Sequence, residues 1–168
     1  EVEIKMKLYS NWLWQPNIAL SSNQNLDFFF KRDGTLLNLG KTQLAYSPNL
    51  VTGSSLIYAP SSYFQIGFLS KYVGKQYMGN IDSENSVLPA YFVNDLNAVL
   101  RFQPNKWVKE IQLSLMINNL FNRQYESNGY FYTYDDTWST LGQVTTIEGA
   151  GYYPQARINF LLGLSVQF

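Results

Sequence analysis

The feature that most constrains this chain is a period of two that returns in run after run, with charge confined to one parity of each run. In residues 1–15, Val2, Ile4, Met6, Leu8, Trp12 and Trp14 alternate with Glu1, Glu3, Lys5 and Lys7. Period two places alternate residues on opposite faces of a β-strand. The same alternation runs through 18–28, 50–59, 63–77, 91–102, 111–122 and 157–168, which predicts seven strands. Asp27, Lys71, Lys75, Asp95, Arg101 and Arg157 all take the polar parity, so one sheet face excludes charge.

The connections alternate as well. Short turns are expected at Pro16-Asn17, at Pro60-Ser61-Ser62 and at Gln103-Pro104-Asn105-Lys106; long polar loops are expected over 31–49, 79–89 and 126–151. A soluble β-sandwich also alternates apolar and polar residues, but it does not need all short turns at one end and all long loops at the other. A transmembrane barrel does, and its lipid face penalises a mid-plane Lys or Arg by about 2 to 4 kcal/mol while its lumen accepts them. The pattern therefore predicts an all-β fold of antiparallel transmembrane barrel strands, with Leu113, Leu115, Phe160, Leu162 and Leu164 facing outward. Lys71, Lys75, Asp95, Arg101 and Arg157 are expected to face the lumen. Trp12, Trp14, Phe64, Phe102 and Trp107 should mark the short-turn rim, and Tyr72, Tyr77 and Phe92 the long-loop rim.

Composition narrows the function. Charged residues are only 14% of the 168, with 12 Lys+Arg against 12 Asp+Glu, where about a quarter is usual. A chain with no net charge has no electrostatic footprint for nucleic acid, and 17% aromatic residues do not suit a disordered segment. No apolar run approaches the roughly 18 residues of a membrane helix, so any crossing uses strands. With no Cys and no His, thiolate metal sites, cysteine nucleophiles and the Ser-His-Asp arrangement are all excluded. No enzyme activity, catalytic residue, metal site or cofactor is expected. The pair Asp135 and Asp136 reads as a solvated loop turn, since no calcium-loop register surrounds it. Gly149-Ala150-Gly151 lacks the third glycine and following helix of a phosphate loop. Tyr130, Tyr132, Tyr134 and Trp138 crowd the longest loop, where stacked rings could grip a planar or sugar-like ligand or sit at an interface.

The last strand ends on Phe168 behind Val166, Leu164, Leu162 and Phe160, and resembles the C-terminal sorting strand of bacterial outer-membrane proteins. The stretches SKYVGKQYMGN (70–80), INNLFNRQYESNGY (117–130) and YYPQARINFLLGLSVQF (152–168) are similar to the closing strands of TonB-dependent outer-membrane receptors, in a style most like those of Bacteroides-type bacteria. Arg157-Ile158 departs from the pattern, since relatives often carry Gly near this point. The resemblance covers the whole chain and implies that residues 1–168 are the C-terminal portion of a plugged barrel of about 22 strands, without its plug or first strands. It implies residence in the outer membrane of a Gram-negative bacterium and uptake of a scarce nutrient such as a ferric siderophore or cobalamin. The lack of His argues against haem. The implied partners are outer-membrane lipid, the rest of the barrel and its plug, the TonB complex through an N-terminal region, the barrel assembly machinery reading Phe168, and a small-molecule nutrient. Two other readings are a passive porin-like barrel and a soluble β-sandwich binding module. The odd strand count disfavours the first, because single-chain bacterial barrels use even numbers.

Overall fold

The computed structural model describes residues 1–104 and 107–168. Its main sheet is built from β1 (Val2–Glu3), β2 (Met6–Tyr9), β3 (Trp12–Leu20), β4 (Leu50–Ser61), β5 (Phe64–Val73), β6 (Tyr91–Phe102), β7 (Glu110–Asn118) and, after a separate hairpin of β8 (Glu126–Asp136) and β9 (Thr145–Pro154), β10 (Asn159–Gln167). Each strand pairs antiparallel with its neighbours in chain order, β1 and β2 sharing one edge position, so seven positions are filled from β1 to β10. The described residues contain no α-helix. From β3 onward the wall strands are 9 to 12 residues long, close to the roughly 9 to 11 that cross a bilayer at a 45° tilt.

Register sorts the two faces. One unbroken row runs Trp14, Leu56, Phe68, Leu96, Ile117, Phe160, each opposite the next across the sheet. One residue along, Gln15, Ser55, Leu69 and Asp95 form a row on the other face. Leu113, Leu115, Leu162 and Leu164 pair with one another on the apolar face, and no Asp, Glu, Lys or Arg of the paired wall strands falls there. Among the described residues no second sheet covers that face: Leu162 is 76% exposed and Phe160 69%. A sandwich would have buried both.

Three expectations change. The first turn lies at Ser10-Asn11, and Pro16 sits inside β3. Proline has no N–H to donate. Ile4 N–H still donates to the Pro16 carbonyl at 3.0 Å, but the return bond cannot form, and the edge strand breaks between β1 and β2 opposite this residue. Proline is tolerated here because only an edge strand loses a bond. Second, β3 stops at Leu20 rather than continuing to Phe28, and residues 21–49 fold into two small ladders. Third, β7 stops at Asn118, and the expected long loop 126–151 is itself a hairpin. Of the expected third short turn, Gln103 and Pro104 follow β6 and Trp107 is 86% exposed, while Asn105 and Lys106 lie outside the described residues.

Aromatic residues gather at strand ends. Trp12 opens β3 and packs on Tyr58 at 4.6 Å between centroids; Phe64 opens β5 and Phe102 closes β6. At the far end Tyr72 and Phe92 are cross-strand partners. Buried apolar side chains are few among the described residues: Val73, Met78, Leu88 and Val93, all at the long-loop end.

Candidate functional site

The long-loop end is a layer in which three connections lock together. In the first, Phe29–Arg32 and Thr35–Asn38 make a hairpin around Asp33-Gly34, whose φ values of 52° and 78° are those of a two-residue turn that suits right-twisted strands. In the second, a single 3-10 turn, Glu84–Ser86, starts where the Ser83 hydroxyl accepts from Asn85 N–H at 3.2 Å. The third is the β8–β9 hairpin.

Glu148 of β9 joins all three. Its carboxylate accepts from Arg32 of the first loop and from Ser83 and Asn85 of the second. Burial works to raise this carboxyl, but the Ser83 and Asn85 hydrogen bonds and the Arg32 guanidinium outweigh it and hold the group below the usual glutamate range. Beside it, Asp33 and Thr146 exchange two bonds: Asp33 N–H donates to Thr146 Oγ1 at 2.8 Å, and Thr146 N–H to Asp33 Oδ1 at 2.7 Å. Asp135 accepts from Thr146 Oγ1 at 2.8 Å and lies 3.6 Å from Lys31. Tyr46 OH donates to the Gly129 carbonyl at 2.9 Å, and Tyr152 OH to the Asn85 carbonyl at 3.2 Å. Apart from the backbone carbonyl, these hairpin groups alternate onto one face, the docking face.

The other face carries the rings. Tyr130, Tyr132, Tyr134 and Trp138 form a continuous ladder, with centroids 6.2, 6.4 and 6.1 Å apart and planes within 19° of parallel. Tyr153 adds a tilted ring 6.0 Å from Tyr130. The ladder exists because Tyr130 and Tyr132 face Gly151 and Gly149 across the hairpin: any Cβ at those glycines would collide with the rings. Glycine here lets a tyrosine lie over the opposing strand, the pairing by which aromatic residues cover bare glycines. Trp138 joins the row because Asp136 Oδ1 accepts from the N–H groups of Trp138 and Ser139, each at 3.0 Å, and turns the chain. Hydrogen bonds from the Ser139 side chain and these N–H groups lower the Asp136 carboxyl. The two aspartates thus shape the hairpin, and no acidic metal cluster occurs among the described residues.

Four predicted ring residues therefore come together, about half-exposed or more. The predicted charged set divides. Lys71, Asp95 and Arg101 lie on the polar face of the wall by register. Asp95 Oδ1 accepts from Asn119 N–H at 2.7 Å, and Arg101 Nε donates to Gln112 Oε1 at 3.0 Å. Lys75 lies beyond β5, where its hydrogen bond to the Tyr77 hydroxyl, 3.1 Å long, raises the ammonium above its ordinary range. Arg157 precedes β10 and donates to Gln124 Oε1 at 3.1 Å. Phe168 is exposed, its carbonyl accepting from Lys109 Nζ at 2.6 Å. Sequence reasoning passed over Glu148. Had 145–154 been read as a strand, its parity opposite Gly149 would have put it on the docking face.

No protein-family model matches the chain, and no curated protein matches it. Solved structures do. The siderophore receptor PiuA from Acinetobacter baumannii aligns with a TM-score of 0.61 at 17% identity, over 97% of this chain and 21% of that one. The ferric yersiniabactin uptake receptor FyuA from Yersinia pestis aligns with a TM-score of 0.58 at 16% identity, over 99% of this chain and 22% of that one. The chain thus shares the fold of a stretch of each of these two receptors, a wall of antiparallel strands. The chain spans about a fifth of the length of either receptor.

Proposed function

We propose that residues 1–168 are the C-terminal wall and outer loops of a TonB-dependent receptor in the outer membrane of a Gram-negative bacterium, taking up a scarce nutrient such as a ferric siderophore or cobalamin. The observation that carries the reading is the pair of faces: seven antiparallel positions with no charge on one side, and an interlocked loop layer at one end only. Likeness in fold to two receptors supports it. In this reading the apolar face meets lipid, Lys71, Asp95 and Arg101 meet the lumen and plug, and Lys75 and Arg157 stand at the loop rim instead. TonB acts through a part of the receptor outside these residues, and Phe168 is read by the assembly machinery. The aromatic ladder contacts the nutrient, because parallel exposed rings offer faces to a flat or sugar-like ligand.

The test is fractionation of the full-length protein followed by uptake. It should partition with the outer membrane, and deletion of its gene or of tonB should abolish growth on the same limiting nutrient. Uptake that persists without TonB would make it a passive pore.

A further inference from the structure

The turn after β7 holds a cation that the receptor reading leaves unused. Asn119, only 4% exposed and with φ 51°, grips Arg123 by both backbone groups: its Oδ1 accepts from Arg123 N–H at 2.8 Å, and its Nδ2 donates to the Arg123 carbonyl at 2.7 Å. The same Nδ2 reaches the Ala156 carbonyl at 3.1 Å, and Asn119 N–H is anchored on Asp95. This frame fixes Phe121 as well, whose ring meets Phe68 edge-on at 6.5 Å and therefore lies on the apolar face. Tyr72, Phe92, Phe121 and Arg123 line a cavity of about 540 Å³, floored by Asn94. Ser70 Oγ donates to Asn94 Oδ1 at 2.7 Å. Phe92 and Phe121 are more than half-exposed. The ion pairs among the described residues are Lys31–Asp135 and Arg32–Glu148, so the Arg123 guanidinium has no carboxylate partner.

An exposed, unpaired guanidinium on a backbone that Asn119 pins, beside an aromatic-walled cavity of mixed polarity, matches a ligand that is anionic at one end and apolar at the other. We propose that this cavity binds the phosphorylated headgroup of a lipid in the leaflet at the long-loop end. Arg123 takes the phosphate, in the two-pronged geometry guanidinium favours, and Phe92 and Phe121 flank the first carbons of an acyl chain. The inference rests on the barrel reading, which makes the apolar face a lipid surface.

Native mass spectrometry of the full-length receptor in detergent tests it, with phosphorylated lipid A, the same lipid dephosphorylated, and inorganic phosphate as probes. The wild type should prefer the phosphorylated lipid by about tenfold, the scale of one charge-assisted hydrogen bond. Arg123→Gln should erase that preference. Lys41→Gln, at an exposed cation elsewhere in the loops, should keep it. Free phosphate in excess should not displace the lipid. Equal binding of both lipids by the wild type, equal loss in both variants, or displacement by phosphate alone would each overturn the proposal. Fractionation separates the two readings: a wild-type protein found in the outer membrane but without the preference refutes only the lipid site, whereas one absent from the membrane refutes both.

Discussion

The wall and the loop layer dispose of their apolar side chains in opposite ways. The wall leaves its apolar face bare, with Leu162 and Phe160 among its most exposed residues. The loop layer buries Met78 and Leu88 and ties three connections through one carboxylate. The wall's hydrophobic stabilisation therefore has to come from what surrounds it, while the loops carry their own core. That contrast ranks the substitutions that break it.

The largest effect is expected from Leu115→Arg, in the middle of the apolar face. On the receptor reading proposed above, it should cost about 2 to 4 kcal/mol in a bilayer and lower outer-membrane levels of the full-length protein. Met116→Arg, one residue on and facing the other way, should leave those levels near wild type. Equal behaviour of the two would erase the distinction between the faces.

Next comes the ladder. On the same reading, replacing Tyr132, Tyr134 and Trp138 together by Ala should weaken nutrient binding on whole cells by about 1 to 3 kcal/mol, as loss of large aromatic contacts does, with barrel abundance unchanged. Intact affinity would reduce the hairpin to a rim.

Glu148→Gln acts on the loops alone. It should loosen the clasp by about 1 kcal/mol after allowance for solvent screening, seen as faster protease cleavage in 31–35 and 83–86 while the wall stays resistant. Acid should imitate it. The folded carboxyl titrates below its unfolded value, so the clasp is fully present above the ordinary glutamate pKa of about 4.3 and is lost as pH falls through the lowered one. Cleavage that does not change between neutral and acidic pH would show that Glu148 is not the joint.

The smallest effect on stability belongs to Phe168→Ser, about 0.5 kcal/mol or less for an exposed end, with a fall in outer-membrane abundance as its signature. Unchanged abundance would remove the assembly role.

The wall was legible and the loop layer was not, for a physical reason. Period two is local, so Leu113, Leu115, Leu162 and Leu164 declare their face within one strand. Pro16-Asn17 misled because proline is a turn signal wherever it occurs, and only the edge position of its partner strand makes it harmless in β3. Tyr130, Tyr132, Tyr134 and Trp138 were legible as a cluster in a loop, but the common face of the tyrosines and the glycines that make room for their rings are set by the hairpin register. Arg32 and Glu148 are 116 residues apart, and no local pattern joins them.

The constant register of the wall has a consequence for how such a chain can change. Pair after pair keeps one offset, and the wall ladders shift only between Lys7 and Tyr9 and between Tyr58 and Ser61, both beside short turns. One residue inserted elsewhere in β5 or β6 would turn the rest of that strand inside out and put a charge such as Lys71 or Asp95 against the apolar side. Length can therefore drift freely in the three long connections, where the ladder and the clasp sit. New binding surfaces can arise there by insertion and deletion, while the wall can vary only by substitution.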